Sequence, residues 1–376
     1  MPWQECSSMS LRFEFVQLAQ QPNTNFSELC RRFSISCKTG YKWLKRFQQD
    51  GATGLADQTR RPQRSPRRTK ATTEQRVLAL RDKYGWGARK LHALLPPRQQ
   101  ATLATSTVHA ILQRHGRISS ESSARHGPWQ RFEQPRPNQL WQMDFKGHYL
   151  LANQQRCHPL TVLDDHSRYS LCLQACQNEQ TTTVQQYLII TFRRYGLPER
   201  MLMDNGAPWG GAPDHGYTPL TVWLLRLGIA VSHSRPFHPQ TQGKDERFHR
   251  TLKVEVLAQR VYADFKHMQA RFDEWRSCYN HLRPHEALQM AAPASRYQPS
   301  RRSYPEQLPP LEYDVGDQVR KVQATGKISF ANRTFRVGRP FHQQLVAVRP
   351  TAVDGRFDIF FATHQIRTID LKQSDE

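Results

Sequence analysis

The order of elements between residues 140 and 233 constrains the fold more than any other feature of this chain. Leu140 to Leu151, Pro159 to Asp164 and Tyr169 to Leu173 are strand-like runs, separated by polar breaks at "ANQQRC" and "DDHS". "QTTTVQQYLIITFRRYG" then reads as a helix closed by Gly196. A strand "RMLMD", a helix near "TPLTVWLLRLG" and a short strand "IAVS" come next. Strands that run first as a meander and then alternate with helices imply a mixed sheet covered by helices.

Two of these strands carry acids. In "MLMDNGAPWG" three apolar residues run into Asp204, and Asn205-Gly206 turns the chain. Asp is a common turn residue because its side chain hydrogen-bonds nearby backbone, so Asp204 alone decides nothing. "LWQMDFKGHY" holds Asp144 as its one acid amid apolar and aromatic neighbours. A carboxylate in a buried strand carries a desolvation cost unless it is paired or binds a metal. A third acid comes from "RPFHPQTQGKDERFHRTLKVEV", which is irregular up to Gly243 and helical after it. There Glu246, Arg250 and Lys253 share one face by i, i+4, i+7 spacing, and Phe248, Leu252 and Val256 form the packing face.

The flanks differ in kind. Within "FSELCRRFSISCKTGYKWLKRF" a short amphipathic helix near Ser27 to Phe33, a break at Ser34 and Ile35, and a helix from about Ser36 to Phe47 make a helix-turn-helix. Lys38, Thr39, Lys42, Lys45 and Arg46 would be exposed on its second helix, while Ile35, Tyr41, Leu44 and Phe47 pack inward. "DQTRRPQRSPRRTKATT" has six basic residues and almost no apolar ones, so it reads as an extended basic linker whose Arg60, Arg61, Arg64, Arg67 and Arg68 could track phosphates. Three helical segments, "TEQRVLALRDKY", "GARKLHALL" and "TSTVHAILQRHG", make a second helix-turn-helix plausible. Beyond Pro299, six short strands in about 60 residues read as a small barrel. The expected domains are therefore a helix-turn-helix domain (1–57), a basic linker (58–72), a second helix-turn-helix-like domain (73–118), a linker (119–137), a central α/β core (138–298) and a small β-barrel (310–372).

Charge names the partner. Lys plus Arg outnumber Asp plus Glu by 54 to 32, a net +22. Residues 1–131 hold 23 basic and 8 acidic side chains, while residues 132–300 hold 19 and 15. A polyanion is the natural ligand of such a front, and nucleic acid suits it. No apolar stretch approaches the ~18 residues of a membrane span, and the first residues lack the basic-then-apolar order of a signal peptide. Seven cysteines without a C-x-x-C pair suit a reducing compartment. The expected location is the cytoplasm.

At this point the motifs "LWQMDFKG", "LDDHSRY", "DNGAPW", "RPFHPQTQGKDERFHRTLK" and "RPHEALQMAAPASRY" resemble the integrase-core transposases of bacterial insertion sequences, relatives of retroviral integrases. "ELCRRFSISCKTGYKWL" followed by the basic "TRRP" stretch resembles the DNA-binding front of the same proteins. The resemblance implies a ribonuclease-H-like core in which Asp, Asp and Glu hold two divalent ions, Mg²⁺ with Mn²⁺ as a substitute. Carried over by motif, these are Asp144, Asp204 and Glu246. Fifty-nine residues separate the first two and 41 the second pair. The latter gap is longer than the family's usual one of roughly 35, and Asp245 is the rival third ligand, since helix neighbours point about 100° apart. Asp164 and Asp165 are expected to be structural.

The resemblance further implies that water frees the 3′ end of the element and that this 3′-OH then attacks target DNA. His238 and Lys244 would orient the DNA, and Arg250 and Lys253 would clamp its end. The partners would be double-stranded DNA, as terminal inverted repeats and target, and a second copy of the chain in a dimer or larger assembly. The alternatives are a catalytically inactive DNA-binding regulator or element remnant, and a nuclease that hydrolyses without joining.

Overall fold

The computed structural model describes residues 8–58, 69–118, 133–210, 216–234 and 243–373. The chain divides into two compact units, 1–70 and 71–376.

The first unit is three helices, α1 (Ser8–Ala19), α2 (Phe26–Arg32) and α3 (Cys37–Asp50). Asn25 caps α2 and Ser36 caps α3, each side chain accepting a backbone N–H three residues on. Between them Ser34 takes a positive φ of 54°. The pair is the helix-turn-helix expected from the sequence. Its core is Phe15, Val16, Leu29, Cys30, Trp43 and Leu55. One inward residue is corrected: Tyr41 is 59% exposed and stacks outside on Phe26 at 4.2 Å. Gly40 and Trp43 take the inner face instead, because the close approach of α3 to Cys30 and Phe15 leaves no room for a larger side chain at position 40.

The second unit opens with α4 (Ala71–Tyr84), α5 (Ala88–Ala93), α6 (Pro97–Thr102) and α7 (Thr105–Arg114), packed around Val77, Trp86, Leu91, Val108 and Ile111. The helix α6 was not among the three segments expected here. Proline at the first helical position starts a helix, where its missing N–H is no loss.

The central sheet contains β1 (Trp141–Phe145), β2 (Tyr149–Leu150), β3 (Arg156–Asp164) and β4 (Ser170–Cys176), followed by α8 (Thr181–Tyr195), β5 (Arg200–Met203), α9 (Pro219–Arg226) and β6 (Ala230–His233). Its order is β2-β3-β1-β5-β6, with β4 also paired to β3. The β1/β3 and β3/β4 pairs are antiparallel, and β1/β5 and β5/β6 are parallel, so the mixed sheet is the expected one. The long first strand is shorter than expected, because the chain leaves β1 and reverses at Gly147 with φ 80°. Both faces are covered. Trp141, Met143, Val162 and Met201 pack against Leu188 and Phe192 of α8 and Leu220 and Leu224 of α9. On the other face Leu163, Leu173 and Ala175 pack against α10 (Gly243–Leu252) and α11 (Phe265–His281) through Phe248, Leu252, Phe272, Trp275 and Tyr279.

The last six strands are β7 (Gln318–Lys321), β8 (Lys327–Phe330), β9 (Arg333–Arg336), β10 (Leu345–Pro350), β11 (Arg356–Phe361) and β12 (His364–Asp370). All fall where the alternation placed them. They form a four-stranded antiparallel sheet, β12-β11-β10-β7, and a separate β8-β9 hairpin, rather than one hydrogen-bonded barrel. The two pieces share one core through Ile328, Phe335, Val346, Ile359 and Phe361, which extends to Val222 and Leu225 of α9.

Candidate active site

Asp144 lies in β1 and Asp204 directly follows β5. The parallel register pairs Trp141 with Met201 and Gln142 with Leu202. The two acids are close enough for the negative charge of Asp204 to act on Asp144. Asp204 is held firmly: its Oδ1 accepts the Gly206 N–H at 2.9 Å and the Trp209 indole N–H at 2.5 Å. Its carbonyl accepts from His233 Nδ1 at 2.8 Å, and Asn205 donates to the Ser234 carbonyl, so the turn is strapped to β6 and its end. Asp144 Oδ1 accepts the Phe145 N–H. Burial, and then the negative charge of Asp204, push the Asp144 carboxyl up to about 7. Two carboxylates this close resist joint ionisation, and a bound cation removes that penalty.

The third element is α10. Glu246 is exposed, whereas Asp245 is 1% exposed and turned toward Asp144. Thr161, the β3 partner of Asp144 in the sheet register, donates to Asp245 Oδ1 or to the Asp144 carbonyl. Among the described residues Asp245 Oδ2 has no hydrogen-bond partner. One turn along α10, His249 places Nε2 2.8 Å from the Thr161 hydroxyl and 3.3 Å from Asp245 Oδ2, and Nδ1 3.8 Å from Asp144 Oδ2. Burial drives the His249 pKa down to about 3, so the ring is neutral, and burial followed by Asp144 drives Asp245 well upward. One ligand atom each from Asp144, Asp245 and His249 lie within 4.8 Å of one another. A donor set of two carboxylate oxygens and one imidazole nitrogen fits a divalent cation.

The other sequence-predicted residues separate. Lys244 is bound to Asp165, through both the carboxylate and the backbone carbonyl, and is 16% exposed at its side chain. Arg250 and Lys253 are exposed, Arg250 on α10 and Lys253 in the π turn Lys253–Leu257. On α3, Lys38, Lys42 and Lys45 are exposed, and Arg46 is half-buried. Thr39 is half-buried with its hydroxyl on Ser36. Arg60, Arg61, Arg64, Arg67, Arg68 and His238 lie outside the described residues. Asp164 is fully buried and takes hydrogen bonds from Asn138 N, Ser167 N and Ser167 Oγ, and Asp165 takes them from Gln134 N and Gln142 Nε2. Both acids therefore serve the fold. His249, Thr161 and Trp209 were not singled out from sequence. The D-x-x-x-H spacing on one helix face was the signal for His249.

Models of two integrase core domains match residues 134–239 and 227–293, and the IS481 family transposase C-terminal domain matches 317–376. A helix-turn-helix domain matches residues 11–63 and a homeodomain-like domain matches 39–112. The chain is 26% identical over 231 residues to the insertion element IS407 uncharacterized 31.7 kDa protein of Burkholderia multivorans, across 59% of this chain and 80% of that one. It is 24% identical to the insertion element IS476 uncharacterized 39.2 kDa protein of Xanthomonas euvesicatoria, across 56% of this chain and 59% of that one. A Gag-Pro-Pol polyprotein of sheep pulmonary adenomatosis virus is 29% identical across 33% of this chain and 7% of its own length. Among solved structures, a chain of the simian T-cell lymphotropic virus intasome overlays with TM-score 0.38 at 15% identity, covering 78% of this chain and 99% of that one. The HTLV-2 integrase catalytic core in complex with magnesium overlays with TM-score 0.33 at 13% identity, covering 44% and 99%. Helix-turn-helix, integrase-core and IS481 transposase C-terminal matches lie in order along the chain, and together with the insertion-element relatives they support an insertion-sequence transposase related to integrases.

Proposed function

We propose that the chain is a DNA transposase that binds the terminal repeats of its element, nicks their 3′ ends and joins them to target DNA. The observation that carries this reading is the nearness of Asp144, in β1, to Asp204, just past the neighbouring parallel β5, with Asp245 of α10 beside Asp144. When bound, divalent ions such as Mg²⁺ or Mn²⁺, two per site, would activate an attacking oxygen and stabilise a leaving one. Asp144 and Asp204 would hold them, with the third ligand drawn from α10, where Glu246 and Asp245 are the two candidates.

The protein's own part is positioning. Trp209 and Gly206 fix the Asp204 carboxylate through two hydrogen bonds to Oδ1. A rigid ligand spends no binding energy on being oriented. Exposed Arg250 and Lys253 extend along the same helix segment and would contact phosphates of the DNA end. In the first unit α3 would enter the major groove and read the terminal repeat. Element ends come in pairs, so a dimer or larger assembly on DNA is part of the proposal.

The test uses labelled DNA carrying the ends that flank the gene, with Mg²⁺ or Mn²⁺, and compares the natural chain with Asp204→Asn. Metal-dependent 3′ nicking and joining, absent in the variant, is the expected result. Tight end binding without cleavage by either protein would leave a DNA-binding regulator or element remnant. Cleavage without joining would make the chain a nuclease.

A further inference from the structure

A second concave region of the larger unit lies away from the acids, where the helices α4 to α7 meet the end of α11. A cleft of ≈ 550 Å³ opens there between α5, the first turns of α7, the π turn after α10 and the residues just past α11. Three cations, Arg89, Lys90 and Arg283, and two acids, Glu255 and Glu286, stand on its walls.

The acids are already matched. Glu255 is paired with Arg283 and accepts the Trp275 indole N–H at 2.8 Å. Arg283 also lies over the Trp86 ring, 5.3 Å from its centroid, so its guanidinium is held from two sides. Glu286 stands 3.7 Å from Arg89. Lys90 is left over. It is half-buried on α5, and among the described residues its amine has no hydrogen-bond or ion-pair partner. Burial first, and the positive charge of Arg283 second, lower its pKa to about 8. At neutral pH it stays mostly protonated, and the charge stands uncompensated. His285, just past α11, feels the same field: burial, then Arg283, then Lys90 hold its ring neutral with a pKa of about 3. An anion in the cleft would relieve both groups.

The donors select the anion. Beside the Lys90 amine, the cleft is lined by the hydroxyl residues Thr105 and Ser106 of α7, so donors reach it from separate elements. A phosphate offers oxygens in several directions at once, and lysine binds it as a point charge, with hydroxyls as its usual companions. We infer that this cleft is a phosphate-binding site centred on Lys90, apart from the paired acids of the sheet. A backbone phosphate of DNA and a free phosphate ester share that chemistry. The position suits DNA. Glu255 follows Asp245 by ten residues, about 15 Å at ~1.5 Å per helical residue. A DNA strand covers that span in about four nucleotides at ~3.4 Å each. Arg250 and Lys253 are exposed on the segment between. Only the DNA source rests on the transposase reading.

The test labels the full chain by reductive methylation near the Lys90 pKa and locates the modified amines by peptide mass mapping. Exposed Lys327 of β8 is the control. The expected result is that pyrophosphate slows labelling of Lys90 by about fivefold or more without changing Lys327, and that DNA carrying the element ends protects Lys90 likewise. Lys90→Gln should then lower the salt slope of DNA binding by about 0.9. Protection by DNA alone assigns the cleft to backbone phosphate. Protection by pyrophosphate alone, with a salt slope that Lys90→Gln leaves unchanged, assigns it to a free phosphate ester. Equal labelling of Lys90 in every arm overturns the inference, and that readout needs no variant to fold. If the chain nicks and joins DNA while Lys90 is never protected, the inference falls and the transposase reading stands. If pyrophosphate protects Lys90 in a chain that does not bind DNA, the inference stands and the transposase reading falls.

Discussion

Trp209 donates its indole N–H to Asp204 Oδ1 at 2.5 Å and stacks on Phe145 with ring centroids 5.3 Å apart and planes 10° from parallel. Phe145 follows Asp144, so one buried indole braces both strand ends. Trp209→Phe keeps the aromatic stack and deletes the donor. The expected outcome is a loss of about tenfold or more in DNA nicking rate, the usual scale for misplacing a positioned group, with a melting temperature within a few degrees of the natural chain. Trp209→Ala removes the packing too and should cost about 3–5 kcal/mol. Nicking rates on a labelled end, measured beside thermal melts, separate the two effects. Equal rates for Trp209→Phe and the natural chain would show that the indole hydrogen bond has no part in the chemistry.

Asp144 gives a pH signature. Burial first and Asp204 second raise its carboxyl from the usual range near 4 to about 7. A group whose pKa is raised on folding binds its proton more tightly in the folded state. Its stabilisation is therefore complete below about pH 4, the value in the unfolded chain, and is lost as pH rises through about 7. Asp144→Asn cannot titrate. The difference in melting temperature between the natural chain and Asp144→Asn should fall across that window by several degrees, and millimolar Mg²⁺ or Mn²⁺ should reverse the fall, because a cation opposes the same repulsion. A difference that stays flat with pH would count against a raised Asp144.

The two acids at these strands were legible because a strand declares itself: an apolar run with one carboxylate allows few alternatives, and "RMLMD" became β5 followed directly by Asp204, while "LWQMDF" became β1 with Asp144. The α10 residues were half legible. The sequence placed Phe248, Leu252 and Val256 on the packing face, and all three are buried there. The same periodicity puts Asp245 on that face and Glu246 beside it, so the exposed Glu246 and buried Asp245 follow from a pattern already in hand. The motif drew attention to Glu246 instead. The side-chain braces could not be read at all. Trp209 reaches Asp204 through a turn, Thr161 comes from an antiparallel neighbour 17 residues from Asp144, and Lys244 finds Asp165 across 79 residues. Such contacts depend on register and turn geometry, which no local pattern encodes.

On α3 the basic residues divide by what they touch. Lys42 and Arg46 lie over the Trp43 ring at 4.2 and 5.2 Å, so their side chains also pack. Lys38 and Lys45 are exposed, and neither lies over that ring. Lys38→Ala with Lys45→Ala should weaken DNA binding, lower the salt slope by about 0.9 for each phosphate no longer neutralised, and shift stability by less than about 0.5 kcal/mol. Fluorescence anisotropy over a salt series reads the slope. An unchanged slope would remove both residues from the DNA interface.

Gly40 is where α3 crosses the rest of its unit. A Cβ there would stand 2.8 Å from Cys30 Sγ, 2.9 Å from Phe15 Cζ and 3.0 Å from Phe26 Cζ. Alanine gains about 1 kcal/mol of helix propensity over glycine, but overpacking a filled core costs about 1–3 kcal/mol. Since Phe15 and Cys30 are each 1% exposed, they have no space to yield into. The crossing term should win, and Gly40→Ala should destabilise the helix-turn-helix unit by about 1 kcal/mol or more. Gly51, just past α3, is the contrast: nothing lies within 4 Å of its added Cβ, but its φ of 64° strains an alanine through the backbone alone. Hydrogen exchange of the full chain distinguishes the sites. Gly40→Ala should lower protection throughout α1, α2 and α3 together, whereas Gly51→Ala should act on the last turn of α3 and leave α1 protected. Protection of α1 unchanged by Gly40→Ala would mean that the helices do not meet as closely at this position as the structure has them.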